Sequence, residues 1–398
     1  MAVTVRQPVL EVYIDGELDA RARAATCSFG YDQRYAEARV LRAGGTGYPS
    51  DPAALPIEYW SDVEIKMGAT PATVETRFRG WVVPLSNDLW PQQGTLICKG
   101  KLYLAEFVKN EVTNGTNLSG AGAGMADEDQ VQAVLTQCGV SFTAGNILGT
   151  GHLLGSRFRD LAAIGASPFG PFTPPTPFWW REGETGLSYI EQLDAISVPV
   201  DYSGRYRTFE SLDGTVYRIK LSTQPAGTAD FSFVEGTDIL PGASIERDPS
   251  GAANRVVVTG APHYSGLGSY QYTAKAPVGV LASPYIPSVV PVSADGYRQV
   301  SASPFSSLMI EKALIADTGD VVSCEQVANL LLAENNAVLD TLRVATPRDD
   351  LLGPGQTIAF TSPRLGIDAG ERYWLQHLEV EVDERGTFRQ RMTATRRT

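Results

Sequence analysis

The stretch 231–260, FSFVEGTDILPGASIERDPSGAANRVVVTG, constrains the fold of this chain more than any other. Phe231 and Phe233 alternate with polar neighbours, while Val256, Val257 and Val258 form a β-branched run closed by Gly260. Pro241-Gly242 and Asp248-Pro249-Ser250-Gly251 place turn chemistry between these two strand signals. The stretch reads as the seam where a middle region hands the chain back to a barrel-like β region.

The rest of the chain repeats that punctuation. Glycine (39) and proline (25) are frequent among the 398 residues, which suits many short strands better than helix bundles. The length is too great for one ordinary core and implies several domains. A formal net charge of −12 excludes a nucleic-acid clamp, which needs cations to displace counterions, but not a channel that nucleic acid slides through. Cys27, Cys98, Cys138 and Cys324 are far apart and form no CxxC pair, and the only histidines are His152, His263 and His377. Buried, reduced cysteines are therefore expected, with no zinc site and no disulfide framework. No stretch has the length and apolarity of a membrane span, and the N-terminus enters strand alternation with no apolar signal core. Synthesis in a cytoplasm without export is the expectation.

Three regions follow in order, and the fold class is mainly β with α+β insertions. Residues 1–107 read as an all-β, barrel-like domain: Val12 and Ile14 alternate before an Asp15-Gly16 hairpin turn, and further strands are expected at 63–67, 78–83 and 96–102. Residues 108–230 are mixed. Asp127 is expected to cap a helix carrying Val131, Val134, Leu135 and Cys138, and Thr185 to open another carrying Leu187, Ile190 and Leu193. Between them, SPFGPFTPPTPFWW (167–180) is extended or polyproline-like. Residues 231–398 return to β, with one helix opened by the capping box Ser323-x-x-Gln326. The closing hairpin runs around Asp383-Glu384-Arg385-Gly386, with Arg389 and Arg391 on one face of its last strand and Phe388 and Met392 on the other.

Candidate chemistry is sparse. Gly120, Gly122 and Gly124 precede a helix, but Asp127, Glu128 and Asp129 at its start would repel a phosphate, so a flexible linker is the better reading. The same triplet lacks the alternating ligands of a calcium loop, and helix capping explains it more simply. No nucleophile elbow is present, His152 has no second ligand nearby, and no cofactor or catalytic constellation is expected. Phe178, Trp179 and Trp180 carry the one candidate site. They offer a platform for sugar rings, a docking anchor for another subunit, or a loop folded over the middle region's own core.

With these residues in view, the chain resembles the phage tail hub family, which includes baseplate hubs, late control protein D-like proteins and tail-tip hub proteins. The resemblance rests on Val12-Tyr13-Ile14-Asp15-Gly16, on LSYIEQLDAISVPVDYSGRYRTF (187–209), on the run from Asn254 to Gly260, and on the terminal module 323–395 with its Pro354 to Thr357 turn. It implies two tube-like β-barrel domains, 1–107 and 231–398, flanking smaller mixed domains at 108–230. It further implies a homotrimeric ring of pseudo-sixfold symmetry that joins a tail tube to its tip and conducts DNA during ejection. The implied partners are a distal tail or tail tube protein, a tape measure protein and tip spike or fibre proteins, at the virion tail tip. DNA would pass through the lumen without sequence-specific binding. A non-enzymatic structural subunit is thus the first expectation, a tail-tip receptor- or carbohydrate-binding protein the second, and a cell-wall hydrolase the weakest.

Overall fold

The computed structural model describes residues 8–31, 33, 35–43, 60–86, 93–111, 116–117, 126–150, 179–180, 182–197, 204–222, 225, 227–248, 255–262, 269–275, 289–290, 299–300, 311–315, 331 and 339–397. The Gly120–Gly124 motif, His152, His263, Cys324, Phe178 and the Ser323 capping box lie outside the described residues.

The molecule is mainly β, as its turn-rich sequence implies. The N-terminal strands are β1 (Val9–Ile14), β2 (Glu17–Leu18), β3 (Ala22–Gly30), β4 (Glu37–Ala43), β5 (Asp62–Gly68), β6 (Glu75–Ser86) and β7 (Gln93–Gly100). The middle carries β8 (Thr116–Asn117), β9 (Trp179–Trp180), β10 (Gly204–Glu210) and β11 (Val216–Ser222), with helices α1 (Tyr103–Phe107), α2 (Asp127–Gln137) and α3 (Gly186–Ile196). The C-terminal strands are β12 (Phe231–Val234), β13 (Ser244–Asp248), β14 (Arg255–Pro262), β15 (Ser269–Lys275), β16 (Val289–Val290), β17 (Gln299–Val300), β18 (Glu311–Ile315), β19 (Leu339–Thr346), β20 (Thr357–Ser362), β21 (Ile367–Val382) and β22 (Phe388–Arg397). Among the described residues no helix is long and apolar enough to cross a membrane.

Thirteen strands form one sheet in the order β13-β19-β22-β21-β3-β4-β7-β6-β5-β1-β2, with β20 on β21 and β12 on β20. The two terminal regions, expected as tube-like β-barrel domains, both contribute strands to this one sheet among the described residues, and it does not close into barrels. The join is β3 to β21, antiparallel, with Phe29 opposite Leu378 and Cys27 opposite Val380. An open sheet edge leaves backbone N–H and C=O groups unpaired, and here each half satisfies such an edge on the other. Cys27, Phe29, Leu378 and Val380 are fully buried in a single apolar cluster that draws on both ends of the chain. Each of the larger side chains contributes roughly 1.5–3 kcal/mol by leaving water.

Local features follow the sequence closely. Asp15 (φ 51°) and Gly16 (φ 83°) supply the left-handed pair of a tight hairpin between β1 and β2. Thr185 caps α3 by accepting a hydrogen bond from Ser188 N at 3.2 Å. The terminal hairpin buries Phe388 and Met392 and turns Arg389 and Arg391 the other way. Cys27, Cys98 and Cys138 are buried and unbridged.

Two expectations need correction. The first region is not all-β, because α1 follows β7 and packs Ala105 against the helical middle. Asp127 does not cap α2; Ala126 occupies the N-cap, and the Asp127 carboxylate is drawn into a buried ion pair.

Candidate functional site

The two halves meet at β3 and β21, and that join has a polar side. Strand alternation turns every second residue away from the core, so Thr26 and Ser28 lie opposite Glu381 and Glu379. These residues, with Glu37, Ala38, Arg39 and Arg391, line a shallow cleft of about 400 Å³. Glu381 receives two hydrogen bonds from Arg389, at 2.7 and 2.9 Å, and a further contact from Arg391 at 3.1 Å. The Arg389 hydrogen bonds hold the Glu381 carboxyl below its ordinary range. Arg391 also pairs with Glu379, and Lys99 with Glu37. The same pattern continues outward to Glu64–Arg79 at 2.7 Å and Glu246–Arg343 at 2.8 Å. Along this side of the sheet, carboxylates are matched by cations on neighbouring strands.

On the core side the halves are locked by a second device. Ile65 pairs with Phe78 and Lys66 with Thr76, which leaves Arg77 as the extra residue of a β-bulge. The bulge turns Arg77 inward beside Phe78, where its side chain is fully buried. Its guanidinium reaches the C-terminal half, donating to Asp349 Oδ1 at 2.5 Å and to the Asp350 carbonyl at 3.0 Å. Asp349 Oδ2 accepts from Ala69 N at 2.6 Å, and Gln390 Nε2 donates to the Arg348 and Asp350 carbonyls at 2.9 and 2.8 Å. Burial pulls the Arg77 guanidinium down from its ordinary value, and Asp349 opposes that pull.

The middle region is tied to this frame by buried charge. Glu210, at the end of β10, accepts from the backbone N–H of Lys101 (2.5 Å), Leu102 (3.4 Å) and Ala36 (3.4 Å). A Cβ at Gly100 would collide with that carboxylate, so the close approach requires glycine there. Burial pushes the Glu210 carboxyl up to about 7, against the pull of the three N–H donors and of Lys101. Deeper in, Arg218 of β11 donates to Asp127 Oδ2 and Asp194 Oδ1, each at 2.8 Å, and to the Leu148 carbonyl at 2.8 Å. Its guanidinium lies 4.7 Å from the centre of the Tyr206 ring. Burial alone would raise the Asp127 carboxyl, but Arg218 and hydrogen bonds from its neighbours bring it down to about 2.

Of the candidate residues at 178–180, Trp180 is fully buried in the middle core, with Nε1 donating to the Glu184 carbonyl at 2.8 Å and its own carbonyl accepting from Asn110 Nδ2 at 2.5 Å. Trp179 pairs with Asn117 through the backbone of β9. Sequence reasoning did not find Arg77, Asp349, Glu210 or the Arg218 group. The one available signal was Arg218 sharing a strand face with Val216.

No protein-family model matches the sequence, and no curated protein matches it. Solved structures do. The 43 kDa tail protein of prophage MuSo2 from Shewanella oneidensis superposes with a TM-score of 0.61 at 9% identity, covering 98% of both chains. The tail protein from Neisseria meningitidis MC58 gives 0.59 at 11%, covering 98% of this chain and 96% of that one. Prophage tail protein gp18 from Listeria monocytogenes EGD-e gives 0.52 at 12%, covering 97% and 94%. The chain shares the fold of these tail proteins.

Proposed function

We propose that the chain is a structural hub subunit of a phage or phage-like tail tip or baseplate. The observation that carries this reading is the β3–β21 join, which sets two β halves side by side in one sheet. A subunit that supplies two neighbouring wall units turns three chains into six positions, which adapts a sixfold tube to a threefold tip. The assembly is a homotrimeric ring placed between a distal tail or tail tube protein and the tip spike or fibres, with the tape measure protein and then DNA passing through it. Its place is the virion tail tip, reached after synthesis in the bacterial host cytoplasm. The working units are 1–107, 108–230 and 231–398, with the middle unit as spacer.

The role is mechanical and non-catalytic. A channel wall on which carboxylates are matched by cations, as along β21, β22, β4 and β7, neither grips nor strongly repels a passing phosphate chain. The oligomeric mass of the purified chain, with negative-stain imaging of the same sample, tests the reading. Threefold rings with a central hole are expected. A monomer that stays monomeric at high concentration and binds host glycans would replace the hub by the receptor reading, in which Phe178 and Trp179 make the contact and buried Trp180 anchors the loop. The double substitution Phe178→Ala and Trp179→Ala would then abolish glycan binding.

A further inference from the structure

A cleft of about 200 Å³ lies between the β10–β11 hairpin and the large sheet, and arginines line it. Arg205 and Arg207 come from β10, Arg396 from β22, Trp374 and Gln376 from β21, and Tyr31 from the end of β3. Residues two apart on a strand share a face, so Arg205 and Arg207 stand side by side. Arg396 is held from behind by Glu371 at 2.7 Å and Asp340 at 3.4 Å, and Arg247 reaches the same Asp340 at 3.5 Å. Arg207 makes no ion pair or hydrogen bond among the described residues. Among those residues the cleft holds more cations than carboxylates, in a chain whose formal net charge is −12.

The walls are pre-set. Trp374 Nε1 donates to the Ser222 carbonyl at 3.0 Å, pinning the hairpin to the sheet, and Tyr31 Oη lies 3.4 Å from Thr395 Oγ1. The volume equals about six or seven waters at roughly 30 Å³ each, room for one oxyanion with part of its hydration.

We propose that this cleft is an oxyanion site that docks an acidic side chain from a segment of a partner protein, with Arg207 as its grip. A guanidinium fork matches a carboxylate through two parallel hydrogen bonds. The recess favours an acidic peptide over nucleic acid, because a duplex presents closely spaced phosphates and needs a row of available cations. Elsewhere on the sheet, the cations Arg389, Arg391 and Arg343 are matched by carboxylates.

Titration of the full chain with a hexaglutamate peptide, read by tryptophan emission, tests this. A saturable change is expected. Arg207→Gln is expected to weaken binding about tenfold or more, with Arg207→Lys in between, the scale of one charge-assisted hydrogen bond. Arg207 is half-buried on the sheet-facing side of β10, and an unchanged unfolding midpoint verifies that the variant folds. Equal peptide binding by wild type and Arg207→Gln, or none by wild type, would overturn the proposal. So would binding of inorganic phosphate but not peptide, or tighter Arg207-dependent binding of a short DNA duplex than of peptide. The ring assay has a different readout, so the hub reading and this site stand or fall separately.

Discussion

The large sheet and the middle region both join segments distant in sequence, but they place their charges on opposite sides. In the sheet, apolar side chains fill the interior apart from the bulge residue Arg77 and its partner Asp349, and the other ion pairs ride on the outer face, as with Glu381 and Arg389 above Val380 and Gln390. In the middle region the charges are inside: Arg218, Asp127 and Asp194 meet beneath α2, α3 and β11. An exposed pair contributes about 0–1 kcal/mol, because water solvates both partners nearly as well when they are apart. Removing one partner of a buried group costs about 3–5 kcal/mol, because the other is left charged and unsolvated. Single charges on the sheet's outer face therefore matter little, whereas those buried in the middle region, like the inward-turned Arg77 of the sheet, matter a great deal.

The largest expected effect comes from Arg218→Met. Asp127 and Asp194 would remain buried without their counterion, and the middle region should lose about 3–5 kcal/mol. Hydrogen exchange is the suitable readout. Amides of α2 and α3 should exchange faster while those of the β21–β22 hairpin stay protected. A loss under about 1 kcal/mol would break the contrast. Replacing Asp127 and Asp194 by Leu in the Arg218→Met background would sharpen it, since an apolar core of similar volume should recover much of the loss.

Glu210 gives the next effect, and its sign separates the regions. Its folded carboxyl titrates near 7 because of burial, whereas an unfolded glutamate titrates near about 4.3. Across that window the folded chain holds a proton that the unfolded chain has released, so stability falls as pH rises. At about 1.4 kcal/mol per unit over about 2.7 units, the total is roughly 4 kcal/mol. Urea midpoints between about pH 5 and 8 should decline for the wild type and much less for Glu210→Gln. Parallel slopes in the two proteins would show that Glu210 is not the group responsible.

The contrast also explains what the sequence could reveal. Alternation is local, so the terminal hairpin, the Asp15-Gly16 turn and the Thr185-capped helix were legible from neighbouring residues. The pairing of Cys27 with Val380 was not, since nothing near either residue encodes which edge its strand will meet. Arg77 was hidden because strict alternation with buried Phe78 sends it outward, and only the bulge reverses it. Arg218 was hidden for another reason: Tyr217, Ile219 and Leu221 form the more apolar face of β11, yet Val216 and Arg218 are the residues fully buried. Both faces of that hairpin are covered, one by the helices and one by the sheet, so hydrophobicity alone could not choose between them. Buried polar contacts depend on partners far away in the chain, and a sequence carries those only implicitly.

The smallest expected effect lies on the charged face of the join. Glu381 is held ionised below its ordinary range by Arg389, so its contribution is present above about pH 4.3 and fades as pH falls through the folded value. That is the opposite direction to Glu210. Glu381→Gln should cost at most about 1 kcal/mol near neutral pH, and less in high salt, which screens exposed pairs. The informative comparison is the same substitution in the isolated chain and in the assembled ring. If this face looks into a water-filled channel, the cost should be equal in both, since the pair stays solvated. If it is instead pressed against a neighbouring subunit, loss of Glu381 would leave Arg389 and Arg391 desolvated and short of a partner, and the cost should rise several-fold on assembly. A difference of that size would move the wall of the channel to another surface of the chain.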